Sequence, residues 1–147
     1  DYLLWMGCMG SYDSQGREVL LSLTQVLQHL GVSYGVLKKE KCTGDSARRL
    51  GNDLAFQTLA EFNIEQINNA KAKKILSICP HCVRTMNEDW KELGAALEVE
   101  HHSVFLARHK DTLPGAGTGE VVFHDPCYLG RYLNVYEEPR EVIAQSG

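Results

Sequence analysis

Cysteine is the residue type in this chain best suited to chemistry, and there are five. Cys79-Pro80-His81-Cys82 is a C-x-x-C pair. Two thiolates at that spacing can hold one metal ion or cluster without straining the backbone. Cys8 and Cys42 complete a set of four, which suits either a zinc site or a [4Fe–4S] site. Lys38, Lys39, Lys41, Arg48 and Arg49 flank Cys42. Cations lower thiol pKa values and offset the charge of thiolate ligands. The C-x-x-C pair also suits a dithiol that cycles between thiols and a disulfide. Three chemistries stand open: a cluster that carries electrons, a zinc ion bracing a structural or docking domain, and a dithiol oxidoreductase.

The elements that must position these sulfurs alternate in type. Residues 2–6 read as a buried strand. Residues 16–30 read as a helix, with Val19, Leu23, Val26, Leu27 and Leu30 on one face, Asp13 or Ser14 as its cap and Gly31 at its end. A second strand is expected at 32–37. A long helix is expected over 47–69, with Leu50, Leu54, Leu59, Phe62 and Ile67 inward and Gly51 early in it. A third strand follows at 74–78. Val83, Met86, Trp90 and Leu93 then mark a third helix by their spacing. A fourth strand is expected at 97–101, and Ser103 would cap a short helix to His109. Residues 112–119, rich in Gly and Pro, read as a linker, and 120–124 as a fifth strand. The expected fold is α/β: a mostly parallel, Rossmann-like or flavodoxin-like sheet with helices on both faces. Ligands of such sheets sit beyond the carboxyl ends of the strands. Cys8, Cys42, Cys79 and Cys127 all fall there.

The remaining candidates are less specific. His101-His102 ends the fourth strand and is open to a ligand, a proton-relay or a helix-start role. His124 and Asp125 would orient the Cys127 loop or form a turn with Pro126. Trp5, Met86 and Trp90 read as core. Gly7-Cys8-Met9-Gly10 is echoed by Pro126-Cys127-Tyr128-Leu129-Gly130, which suggests a repeat. Pro139 suits the first turn of a following helix.

Bulk properties narrow the function. The chain has 147 residues, about one domain's worth, with 44% hydrophobic and 23% charged residues. A net charge of −4 without a basic stripe argues against nucleic-acid binding. No apolar run approaches the ~20 residues that cross a bilayer. No Gly-rich phosphate fingerprint and no paired hydrolytic residues are evident. An odd number of cysteines without a signal peptide disfavours a disulfide framework and points to a reducing, cytoplasmic setting. The abrupt start and end suggest a piece of a longer chain, which could be membrane-associated through other segments or partners.

The order Cys8, Cys42, Cys79-x-x-Cys82 resembles the cysteine-rich (CCG) domain of the heterodisulfide reductase B/D family, which includes glycolate oxidase and lactate-utilisation iron–sulfur proteins. Gly7-Cys8-Met9-Gly10, Lys41-Cys42-Thr43-Gly44-Asp45-Ser46-Ala47-Arg48-Arg49 and Cys79-Pro80-His81-Cys82 resemble its first motif. His124-Asp125-Pro126-Cys127-Tyr128-Leu129-Gly130-Arg131 resembles the opening of its second. The resemblance implies a first cysteine-rich domain at 1–111, a linker at 112–119 and a truncated second repeat at 120–147. It implies an iron–sulfur cluster on Cys8, Cys42, Cys79 and Cys82, with Cys127 as a further candidate and zinc as the alternative. It implies the electron-transfer part of an oxidoreductase rather than a complete enzyme. Such a part relays electrons from a flavoprotein or another iron–sulfur domain to a quinone, flavin or thiol/disulfide acceptor. One position departs from the family. Its fuller motif has adjacent cysteines, and Thr43 stands at the second. Four cysteines remain, as a simple [4Fe–4S] cubane or a zinc ion needs.

Overall fold

The computed structural model of the chain describes residues 2–115 and 119–146. Four short strands, β1 (Tyr2–Trp5), β2 (Tyr34–Gly35), β3 (Lys74–Ser77) and β4 (Glu98–His101), form one all-parallel sheet in the order β2-β1-β3-β4. Parallel neighbours need crossover connections, and helices supply them. Side chains alternate across β1, so Leu3 and Trp5 face one core while Leu4 faces the other. On the first face lie α4 (Asp53–Asn69), through Phe56, Ala60 and Ile67, and α5 (Pro80–Asn87), through Val83 and Met86. Against Leu4 and Leu76 on the second lie α2 (Ser14–His29), through Leu20, Leu23 and Leu27, and α6 (His102–Arg108), through Phe105. The fold is therefore the expected α/β sandwich, with helices on both faces of a parallel sheet.

The strand order has a functional consequence. The chain leaves β1 towards β2 on one side, and β3 lies on the other, with Trp5 paired to Ser77. This is the topological switch point of a doubly wound sheet, where the two loops part and leave a crevice. Cys8 follows β1, and Cys79 and Cys82 follow β3.

Several local expectations change. The single helix expected at 47–69 is two, α3 (Asp45–Arg49) and α4. Gly51 takes φ +77° between them, and the Asn52 side chain accepts from Ala55 N (3.1 Å) to start α4. The break turns Leu50 and Leu54 outward, 86% and 78% exposed. The buried stripe of α4 is Phe56, Ala60, Asn63 and Ile67. On α2 Leu23 and Leu27 are buried as expected, while Leu20 takes the inward place expected of Val19, which is exposed. Asp13 caps it, accepting from Gly16 N at 2.7 Å. A short helix not expected from the sequence, α1 (Gly7–Tyr12), carries Cys8. The third helix ends at Asn87 and continues as a 3-10 turn, Asp89–Leu93. The cap of α6 is His101, not Ser103.

The expected fifth strand at 120–124 is not formed. A strand exists through its ladder partner, and this stretch has none; Val121, Val122 and Phe123 stand exposed. Cys127 thus opens α7 (Cys127–Leu133) without a strand before it. The final helix, α8 (Glu137–Ser146), holds Pro139 in its first turn. Residues 116–118 of the expected linker lie outside the described residues.

Candidate functional site

Ser77 closes β3, and its hydroxyl accepts from Cys79 N at 3.2 Å. Cys79 is the extended N-cap of α5, with Pro80 at the first helical position. One turn of helix brings Cys82 under it. The two thiols interact. Cys79 is held down to about 6, first by the hydrogen bond from Cys82, against burial, and with help from the Cys82 and His81 backbone N–H groups at the helix start. Cys82 is pushed up by its bond to that charge and by burial. In the metal-free chain, alkylation of Cys79 by iodoacetamide should rise through about pH 6 while Cys82 stays unmodified at neutral pH. Peptide mass spectrometry across pH 4–9 reads this directly, and equal labelling of both thiols would contradict it.

Three segments meet at the Cys82 sulfur. Thr43 Oγ1 donates to Cys82 Sγ at 3.8 Å from the loop after β2. Gly7 takes φ +64° after β1, and a Cβ there would lie 3.5 Å from Cys82 Sγ and 3.8 Å from Trp5 Nε1. Only glycine adopts that backbone freely so close to the sulfur. Cys8 follows Gly7 and Cys42 precedes Thr43, so each is one residue from a group on the Cys82 sulfur. Both are exposed free thiols, and Cys42 Sγ accepts from Gly44 N at 3.4 Å. Among the described residues, no three His, Cys, Asp or Glu side chains already form a metal-holding group. The structure brings Cys79 and Cys82 together and the segments of Cys8 and Cys42 beside them.

Two polar side chains that the sequence analysis passed over hold these segments. The Glu40 carboxylate accepts from Met6 N (3.1 Å) and Gly7 N (2.6 Å), tying the Cys42 loop to the start of the Cys8 helix. Burial raises its pKa, and the two N–H bonds oppose that rise. Asn63, fully buried on α4, accepts from Lys41 N (3.0 Å) and donates to the carbonyls of Lys41 (3.2 Å) and Cys42 (3.0 Å). It is the lone polar residue of the buried stripe of α4, a signal that appears only once the phase of the helix is known.

The arginines expected to act on the sulfurs are answered by carboxylates. Arg48 pairs with Asp53 (2.9 Å) and Glu92 (2.6 Å). Arg49 binds Asp89 and lies 3.5 Å from Asp45. Lys41 lies over the Phe62 ring. Asp45, buried at the start of α3, accepts from Thr85 Oγ1 (3.2 Å) and contacts His81 Nδ1 (2.8 Å). The His81 ring in turn stacks on Tyr128, with centroids 3.6 Å apart at 18°. The neighbour of exposed Cys127 thus touches the C-x-x-C loop. Asp125 pairs with Arg140 at 2.6 Å.

Of the two histidines that end β4, His101 takes the helix-start role. His101 Nε2 donates to the Ile78 carbonyl (3.1 Å), and Nδ1 accepts from Ser103 N at the start of α6 (3.4 Å). Burial, then the neighbouring His102, lowers its pKa to about 3. Burial lowers that of His102 to about 4.

With this geometry in hand, comparison with known proteins is specific. The family model described as "Cysteine-rich domain" matches residues 2–87 and 121–145. A Bacillus subtilis protein named "Probable iron-sulfur-binding oxidoreductase FadF" is 42% identical over 148 residues, covering 97% of this chain and 21% of that protein. The "EtfAB:quinone oxidoreductase" of Syntrophomonas wolfei is 39% identical, covering 100% and 21%. The D component of the dihydromethanophenazine:CoB--CoM heterodisulfide reductase of Methanosarcina mazei is 33% identical, covering 98% and 37%. The chain thus spans between a fifth and two-fifths of the length of these relatives. No solved structure matches it. The matched stretches contain every cysteine placed above, and the chain belongs to the cysteine-rich (CCG) domain family.

Proposed function

We propose that this chain is an iron–sulfur electron-transfer domain of a larger oxidoreductase, with Cys8, Cys42, Cys79 and Cys82 as thiolate ligands. The observation that carries the reading is the convergence on Cys82: the residue after Cys42 bonds its sulfur and the glycine before Cys8 lies beside it, at the switch point of the sheet. The donor set fits such a centre. It is all-sulfur, sits at a helix start whose N–H groups favour negative charge, and lies beside a buried indole N–H that has no conventional acceptor. A cluster held here supplies one-electron exchange without proton transfer or bond rearrangement. The protein positions the sulfurs, buries that of Cys82 and donates hydrogen bonds to those of Cys42 and Cys82.

Four thiolates make a [4Fe–4S] centre the favoured type. Donor and acceptor belong to other parts of a longer protein or to partner proteins: a flavoprotein or second iron–sulfur domain on one side, and a quinone, flavin or thiol/disulfide on the other. A quinone appears in one relative's name and a heterodisulfide in another's. Residues 120–147 are read as the opening of a second repeat, with Cys127 reserved for a site completed elsewhere. A cytoplasmic setting is favoured, with any membrane attachment made through other segments. No helix among the described residues is long and apolar enough to cross a membrane.

A second reading, a C-x-x-C dithiol, is supported by the opposite pKa shifts of Cys79 and Cys82. Anaerobic purification followed by iron, sulfide and zinc analysis separates the readings. Iron and sulfide with broad visible absorption are expected, lost in Cys82→Ser. Stoichiometric zinc without iron would replace the cluster with a structural ion, and a metal-free, disulfide-reducing protein would leave the dithiol.

A further inference from the structure

Among the four proposed ligands, Cys82 alone is buried. Its sulfur lies in a pocket of donors. Thr43, also buried, directs its hydroxyl at Sγ from 3.8 Å. Thr43 is itself held in place, since its carbonyl accepts from Trp90 Nε1 at 3.1 Å. On the other side is the indole of Trp5, which is fully buried and packed edge-on against Trp90 with centroids 5.9 Å apart. Trp5 Nε1 has no hydrogen-bond partner among the described residues. It flanks the same point as the Cys82 sulfur, since a Cβ at Gly7 would lie 3.8 Å from Nε1 and 3.5 Å from Sγ.

An indole N–H can only donate, and native interiors rarely leave such a donor unanswered. The acceptor class that answers it here is sulfur. A neutral thiol is a weak acceptor, whereas hydrogen bonds to an ionised group are shorter and stronger. The orphaned N–H and the Thr43 hydroxyl are therefore explained together if Cys82 carries negative charge in the working protein. Gly7 adjoins both groups, and its φ of +64° would strain any other residue there.

We infer that Trp5 and Thr43 are positioning residues that raise the reduction potential of the centre by donating hydrogen bonds to the Cys82 sulfur. This rests on the reading that Cys82 is a cluster ligand. On reduction one electron enters from the reductant, no covalent bond forms or breaks, and no proton moves. The added charge is shared by the ligating sulfurs. Donors aimed at one of them stabilise the reduced form more than the oxidised form, which moves the potential upward. Thr43 thus does more than vacate a cysteine position: it replaces a potential ligand with a donor to the neighbouring ligand.

The test is a potentiometric titration of the full-length protein, purified anaerobically, with Thr43→Val, Trp5→Phe, the double variant, and Thr43→Ser as the conservative control. Iron and sulfide are measured on each. Thr43→Val and Trp5→Phe are expected to keep their iron and titrate at more negative potentials. Thr43→Ser should match the wild type. In the double variant the oxidised-to-reduced ratio at fixed potential should shift on the order of tenfold, which is about 59 mV for one electron. Resonance Raman iron–sulfur stretches should move in the same variants and not in Thr43→Ser. Should Trp5→Phe fail to fold, the Thr43 pair carries the test, since valine matches threonine in shape. Iron-loaded variants with unmoved potentials overturn this inference alone. Iron-free wild-type protein overturns the cluster reading and this inference with it.

Discussion

Asn63→Leu is expected to destabilise the chain by about 2–4 kcal/mol and to deprive the proposed centre of its Cys42 thiolate. The side chain is fully buried, and all three of its hydrogen bonds go to the backbone of Lys41 and Cys42. Leucine has the same branched skeleton with bulkier ends, so the expected loss comes from broken hydrogen bonds and tighter packing rather than from a cavity. Each backbone group left without a partner away from water costs ~1–3 kcal/mol, and movement of the loop towards solvent recovers part of that. That same movement carries Cys42 away from Thr43 and the Cys82 pocket. Two measurements therefore change together: the urea midpoint and the iron content after anaerobic reconstitution. A variant with an unchanged midpoint and full iron would show that the Cys42 loop is held by something other than Asn63.

Acid should unfold the chain earlier than its carboxylates alone would require. His101 is buried and His102 half-buried, and desolvation lowers their pKa values to about 3 and about 4 from the ordinary 6.5. Below pH 6.5 the unfolded chain takes up protons at these residues and the native chain does not, so stability falls as pH falls. The slope reaches about 1.4 kcal/mol per pH unit for each histidine until its native pKa is met. Over pH 6.5 to 4 the two together remove several kcal/mol, a large share of the ~5–15 kcal/mol that holds a domain. Protonating His101 Nδ1 would also remove the acceptor that starts α6. Glu40 acts in the opposite direction, because burial raises its pKa and the native state binds that proton first. Urea titrations at half-unit pH intervals should show the loss beginning near pH 6.5. In His102→Leu the slope should flatten by about one proton. A stability curve flat from pH 7 down to 4.5 would mean that these imidazoles are not buried neutral.

The fold class was legible because its signal is repetitive. Runs such as Leu3-Leu4-Trp5 and Ile75-Leu76, set between amphipathic helices, have few solutions other than a parallel sheet. The break between α3 and α4 was harder to see. Leu50 and Leu54 have the spacing of a buried stripe, yet Gly51 in a left-handed conformation and the Asn52 cap interrupt the helix that would have turned them inward. Residues 120–124 carry the composition of a strand without a neighbour to pair with, and composition does not reveal a missing partner. At the candidate site, the pairing of Cys79 with Cys82 was legible from the C-x-x-C spacing and the helix that follows it. The supports of the Cys8 and Cys42 segments were not, because Glu40 and Asn63 act through backbone groups distant in sequence. Arg48 and Arg49 misled for a related reason. Proximity to Cys42 in sequence suggested an action on sulfur, whereas folding hands both to carboxylates.

The stacked rings of His81 and Tyr128 make the two halves of the cysteine pattern mechanically continuous. His81 lies inside the C-x-x-C loop and is gripped from behind by Asp45, while Tyr128 stands next to Cys127. A proteolytic or engineered cut near residue 115 would remove the aromatic plate from one side of that imidazole and leave the loop with its carboxylate anchor alone. Whatever displaces α7 as the rest of a longer protein assembles is therefore felt first at the turn that carries Cys79 and Cys82.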